Sequence, residues 1–226
     1  MRRSIDDGDA RRLLGGGPVT LLSTSWRGNK NVMPAIFVTP LSMDPPLVGV
    51  AVHPSRHTHD MIKYSEEFAL SIPSRELLHH VQYLGSVSGR ELDKLELTAL
   101  PTFRGRRIEA PLLEGCVGWI ECGVHDAFTI GDHTLFVGIV VAVQADDDAF
   151  AEGVWSLSDE EARPLHYLGI NFYATLREQI AARIPEAADI KRHVDEGQAT
   201  MADAPEAEER QEARERARED EERGEW

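Results

Sequence analysis

Residues 31–58 read NVMPAIFVTPLSMDPPLVGVAVHPSRHT, two apolar runs coupled to a short turn that carries basic and hydroxyl side chains. Leu47, Val48, Val50 and Val52 make a β-rich run that stops at His53-Pro54, where proline removes a ladder donor and favours a turn. A strand therefore delivers Ser55, Arg56, His57 and Thr58 to an edge. Thr58 is a good N-cap for a helix through His59, Asp60, Met61, Ile62, Lys63 and Tyr64, so backbone N–H groups, a hydroxyl and a guanidinium converge where the helix dipole is positive. An anionic ligand is stabilised in such a place. Taken alone, these four residues fit a capped surface helix equally well.

The same strand period extends in both directions. Segments 19–24, 34–38, 47–52, 68–72, 116–128 and 133–143 are short, rich in Val, Ile, Phe and Leu, and punctuated by Gly, Pro and Asp. Thr129-Ile130-Gly131-Asp132 is turn-forming, so the last two runs are expected to pair as a long antiparallel hairpin. Helical spacing is confined to 58–66, 74–84 and 171–183; in the second, Leu77, Leu78, Val81 and Leu84 share a face and Ser74 can cap it. The expected fold is mainly β, a barrel or sandwich with peripheral helices. Without regular βαβ alternation or a GxGxxG after a strand, a doubly wound dinucleotide fold is disfavoured.

With 226 residues and 42 % hydrophobic content the chain can bury one sizeable core. The expected division is a flexible N-terminal segment over 1–14, one domain over 15–185, and a charged tail over 186–226. That tail carries about half of the net negative charge and few large apolar residues, so it reads as disordered or as a fraying helix, with partner binding as the alternative. A net charge of −15 argues against a nucleic-acid binder, which needs basic surface to displace counterions. No run reaches the length of a membrane span and no apolar segment follows the charged start, which suggests a cytoplasmic protein. Cys116 and Cys122 lack metal-ligand spacing; their even separation along one strand places them on one face, as buried thiols more readily than as a redox pair.

Five pieces in order carry a family resemblance: Asn31-Val32-Met33; Ser42-Met43-Asp44-Pro45-Pro46-Leu47-Val48; Ser55-Arg56-His57-Thr58; Ser88-Gly89-Arg90 with Asp93-Lys94; and Gly131-Asp132-His133-Thr134-Leu135-Phe136-Val137-Gly138. Over roughly residues 15 to 180 the chain resembles the flavin reductase-like, flavoredoxin-type family, whose members adopt an FMN-binding split β-barrel and are usually homodimers. The resemblance implies that Phe37, Val38, Thr39 and Pro40 lie along the isoalloxazine. It implies that Ala51 to Thr58 follow the ribityl chain, with Ala51, His53, Ser55, Arg56, His57 and Thr58 at the cofactor and Ser55, Arg56 and Thr58 on the phosphate. Arginine suits that task because its planar fork binds two oxygens.

Ser88, Gly89, Arg90 and Lys94 would add a second basic contribution, although SGRELDK by itself reads as an exposed helix start. His133 would face the substrate or catalyse, and it is as easily a turn residue. No metal site is implied. The implied activity is an FMN-dependent oxidoreductase that takes hydride from NADH or NADPH and passes electrons to free flavin, oxygen, a metal chelate or a partner protein. The alternative is an FMN-binding electron-carrier module without efficient NAD(P)H oxidation. Pro34 and Phe37 depart from the family pattern, where a hydroxyl residue and a tryptophan or small polar residue are frequent.

Overall fold

The computed structural model describes residues 17–180. Its strands are β1 (Thr20–Trp26), β2 (Asn29–Ala35), β3 (Val38–Met43), β4 (Pro46–Val52), β5 (Glu67–Pro73), β6 (Thr102–Arg104), β7 (Pro111–Leu113), β8 (Cys116–Ile130), β9 (His133–Ala145), β10 (Phe150–Ala151), β11 (Val154–Trp155), β12 (His166–Gly169) and β13 (Phe172–Ala174). Among the described residues three α-helices, α1 (His57–Ser65), α2 (Leu78–Ser86) and α3 (Lys94–Thr98), interrupt them, and a 3₁₀ turn, Arg75–Leu77, leads into α2. Seven strands form one antiparallel sheet in the order β2-β1-β5-β8-β9-β4-β3.

Turn chemistry sets the hairpins. Arg27 and Gly28, both at positive φ (52° and 82°), join β1 to β2, the backbone signature of a type I′ turn whose twist matches the strands it connects. Gly131 (φ 59°) and Asp132 join β8 to β9, so Thr129 and Ile130 belong to the strand and the turn is two residues long.

Successive side chains of β1 point to opposite faces, and both faces are covered. Leu21 packs with Leu77, Val81 and Leu84 from the 3₁₀ turn and α2, while Leu22 packs with Val50, Val52, Ile62 and Phe68. Truncating a fully buried side chain such as Leu84 to alanine costs about 2–5 kcal/mol. Glu121 is buried in the sheet, and its carboxylate accepts the backbone N–H groups of Arg106 (2.9 Å), Arg107 (2.7 Å) and Ile108 (3.3 Å), which fixes the loop between β6 and β7.

The mainly β expectation is met, and several local expectations are corrected. The run 34–38 straddles two strands, because the chain leaves β2 at Ala35 and enters β3 at Val38. Over 171–180 there is no helix: β12 and β13 form a hairpin that turns at Ile170-Asn171, with Ile170 at φ 55°. Residues 181–183 of that expected helix, the N-terminal segment 1–14 and the tail 186–226 lie outside the described residues. Ser74 flanks the 3₁₀ turn as expected, but its buried hydroxyl makes no cap bond. Cys116 and Cys122 share β8, yet a register irregularity at Ile72/Pro73 intervenes and the two thiols lie in different core clusters. Among the described residues no helix is long and apolar enough to cross a membrane.

Candidate functional site

A cleft of about 320 Å³ is lined by β2, the start of α1, α2 with the turn that follows it, and the β12–β13 hairpin. β4 ends at Val52, and the chain turns through His53–Arg56, where Arg56 N–H donates to His53 O (2.9 Å). Arg56 is the N-cap of α1 in extended conformation (φ −75°, ψ 137°), and no side chain caps the helix. Thr58, expected as the cap, lies inside the first turn, buried to 1 % exposure, and its Oγ1 accepts from Asn31 Nδ2 at 2.6 Å. Of the first-turn N–H groups of α1, that of His59 donates to Arg56 O (3.1 Å), and those of His57 and Thr58 have no capping side chain, the condition under which a helix start binds anions.

Cations complete this end. Lys94 is only 5 % exposed, and its Nζ donates to Leu84 O at 2.7 Å. Burial first, and then the charge of Arg56, lower its pKa from 10.5 to about 8. An ammonium held with one carbonyl and no carboxylate gains from an anion in the cleft. His57 Nδ1 is buried without a hydrogen-bond partner, and burial together with the charge of Arg90 lowers the pKa of that imidazole. Gly89 closes the opposite side so tightly that a Cβ there would collide with Asn31 Oδ1 and stand 3.2 Å from His57 Cδ2. Only glycine lets the Ser88–Arg90 turn sit this close.

The far wall is aromatic. Tyr167 and Tyr173 meet edge to face at 5.4 Å, Tyr173 Oη donates to Gln82 Oε1 (2.8 Å), and Tyr167 Oη donates to Ile170 O (3.1 Å). Both hydroxyls are engaged within the protein.

Of the residues singled out in the sequence, Ser55, Arg56, His57, Thr58, Ser88, Gly89 and Lys94 converge on this cleft. Arg90 does not line it; its guanidinium pairs with Asp60 at 2.6 Å on the exposed side of α1, which also holds the Asp60 pKa low. Phe37, Val38, Thr39, Pro40, Ala51 and His53 form a neighbouring strip instead. Ala51 N–H donates to Phe37 O (2.9 Å), and Val38 lies opposite Val50. His133 joins this strip, its ring 5.5 Å from Phe37 and 5.3 Å from His53, with Nδ1 2.6 Å from Asp132 Oδ1. The strip meets the cleft at Ser55, whose hydroxyl lies 2.8 Å from His53 Nδ1.

Asn31, Gln82, Tyr167 and Tyr173 were not among the expected site residues. Asn31 follows the polar pair Asn29-Lys30 on β2, so nothing local marked its burial, and nothing local marked the tyrosines. Among the described residues no cluster of ionisable side chains could hold a metal.

Fold and cleft together define a split-barrel domain whose cleft gathers Ser55, Arg56, Ser88 and Lys94 at the start of α1. Residues 14–175 match the family model described as flavin reductase like domain, and the chain belongs to that family. Its similarity to the Escherichia coli protein YddH is 33 % identity over 178 residues, 76 % of this chain and 94 % of the relative. The crystal structure of an FMN-binding protein from Thermus thermophilus, with bound 1-cyclohex-2-enone, superposes with a TM-score of 0.68 at 33 % identity, covering 81 % of this chain and all of that one. The flavoredoxin of Desulfovibrio vulgaris gives 0.71 at 25 % identity, covering 83 % and 100 %. A more distant relative is the NADH:FMN oxidoreductase of Rhodococcus erythropolis, 26 % identical over 135 residues, 59 % of this chain and 61 % of that protein.

Proposed function

We propose that the cleft binds FMN through its phosphate and that the protein is an FMN-dependent oxidoreductase using NADH or NADPH. The carrying observation is the convergence of an uncapped helix start, Arg56, Ser55, Ser88 and a buried, uncompensated Lys94 on one cleft. This donor set suits a phosphate dianion: several N–H groups and two cations, with no carboxylate in the lining. Bound there, the flavin supplies hydride acceptance from reduced nicotinamide and onward delivery of electrons.

The chain's own contribution is placement. Arg56 and Lys94 neutralise the phosphate, and the first turn of α1 donates to it. The strip of Phe37 to Pro40 with Ala51 offers backbone groups and one partly exposed aromatic ring to the flat part of the ligand. Asp132 holds His133 at Nδ1, which leaves Nε2 as the imidazole atom available to a ligand on that strip. No side-chain nucleophile is required. Exposed Leu41 and Met43 on β3 and Val141 and Val143 on β9, strands that flank β4, support a homodimer.

A second reading, an electron-carrier module without efficient nicotinamide oxidation, is favoured by the flavoredoxin likeness and uses the same binding residues. The visible spectrum of protein loaded with FMN, followed anaerobically with NADH and then NADPH, separates the two. Bleaching by either nucleotide supports the oxidoreductase and names its donor. Bleaching by dithionite alone supports the carrier.

A further inference from the structure

We propose that Asn31 is the positioning residue of the phosphate cradle, the strut that fixes the first turn of α1 against the Ser88–Arg90 turn so that both address the same anion. This rests on the reading of the cleft as a flavin phosphate site.

Asn31 stands on β2 beside the fully buried Val32, and it is only 4 % exposed itself. An amide at such a position is costly unless its donors and acceptors are used, and an apolar side chain is the ordinary choice for a buried strand. Here each end of the amide meets a different part of the cradle. Nδ2 donates to Thr58 Oγ1 at 2.6 Å, and Oδ1 presses against Gly89 so closely that no Cβ fits between them. One side chain from the sheet therefore sets the spacing of two chain segments, 58 and 89, that have no strand pairing with each other.

Arg56 forms no side-chain cap, so the N–H groups of His57 and Thr58 at the start of α1 have no capping partner, while that of His59 donates to Arg56 O at 3.1 Å. Asn31, by holding Thr58, places this helix start and need not touch the ligand to do so.

The test is a set of FMN and riboflavin titrations on the intact protein, since riboflavin lacks only the phosphate. Asn31→Ala is expected to weaken FMN about tenfold while riboflavin changes less than about twofold, the size of one lost buried hydrogen bond expressed in the phosphate term alone. Asn31→Asp, isosteric but acidic, is expected to weaken FMN further, by roughly a hundredfold, because a carboxylate replaces the donor beside the phosphate. Gly89→Ala should lose FMN affinity by colliding with Asn31, and the double variant Asn31→Ala/Gly89→Ala should bind FMN more tightly than Gly89→Ala alone, because truncation at position 31 removes the collision; the discrimination between FMN and riboflavin separates positioning at the phosphate from a general structural role. Thr58→Val removes the same bond from the other side. It should reproduce the Asn31→Ala loss, which guards against a variant that fails to fold.

Wild-type binding of FMN with an unchanged Asn31→Ala affinity overturns the inference, as does an equal loss of FMN and riboflavin or an absent rescue. A wild-type protein that binds FMN no better than riboflavin overturns the phosphate reading itself, and this inference with it.

Discussion

Lys94 links the cleft to pH in a way that can be worked through from its burial. Its ammonium is almost wholly enclosed with a single carbonyl partner, and its pKa falls from 10.5 to about 8 chiefly through burial. The displacement corresponds to roughly 2–3 kcal/mol of cost in keeping that charge inside the folded protein, allowing for screening by solvent. The sign follows from proton counting. Below about pH 8 both folded and unfolded chains hold the proton and the cost is fully present. Between about 8 and 10.5 the unfolded chain holds a proton that the folded chain has released, so the Lys94 contribution makes stability rise with pH.

A bound phosphate supplies the missing counter-charge and favours the ammonium, so binding above pH 8 must draw a proton from solvent. FMN affinity is then expected to fall by up to about tenfold per pH unit from roughly pH 8 to 9.5, with proton uptake measurable by calorimetry in buffers of different ionisation enthalpy. Lys94→Met keeps the stem and removes the charge. It should lower FMN affinity at pH 7 by about 1.5–3 kcal/mol, flatten the pH dependence, and leave the ligand-free protein at least as stable as the wild type. An identical pH profile in Lys94→Met and wild type would exclude Lys94 as the group that takes up the proton.

Three further outcomes are expected. Arg56→Ala should weaken FMN by about 1.5–3 kcal/mol, the range of a hydrogen bond to a charged group, in a fluorescence titration; unchanged affinity removes Arg56 from the phosphate. Glu121→Gln puts an NH₂ group against the backbone donors of residues 106–108, so urea unfolding should show a loss of about 1–3 kcal/mol while FMN affinity holds. Burial drives the Cys116 pKa upward and pushes that of Cys122 up to about 12, so neither thiol should react with a disulfide reagent at pH 8 until the protein is unfolded; fast labelling of the native protein would contradict their burial.

Much of the sheet was legible because alternation is a local property. Leu47 to Val52 and the two long runs around Gly131-Asp132 needed only their own residues to declare strand and turn. β3 was harder, since Pro40 and Ser42 break its apolar pattern and the pairing with β4 shifts register between them. β13 falls in the stretch expected as a helix from Asn171, where Tyr173 leads into Leu176 and Ile180 at helical spacing, but Ile170 takes a left-handed turn and Tyr173 is held by Gln82 on α2. That bond spans 91 positions and leaves no trace in local periodicity.

The grouping of Ser55, Arg56, His57 and Thr58 on one cleft was readable for the same reason the strands were: they lie together at the end of a strand. What Thr58 does there was not readable. Propensity makes it a cap, whereas Asn31, 27 positions earlier, takes its hydroxyl across the fold. The charge of Arg90 was legible, whereas its pairing with Asp60, one turn into α1 and 30 positions earlier, was not.

A crystal structure of the protein with FMN would decide whether the cleft at the start of α1 holds the flavin phosphate. The prediction is a phosphate within hydrogen-bond distance of the first-turn N–H groups of α1, Arg56 and Ser88, with Lys94 facing it. A phosphate seated elsewhere, for instance among Arg27, Lys30 and Arg104 in the separate cavity beside Trp26, would contradict it.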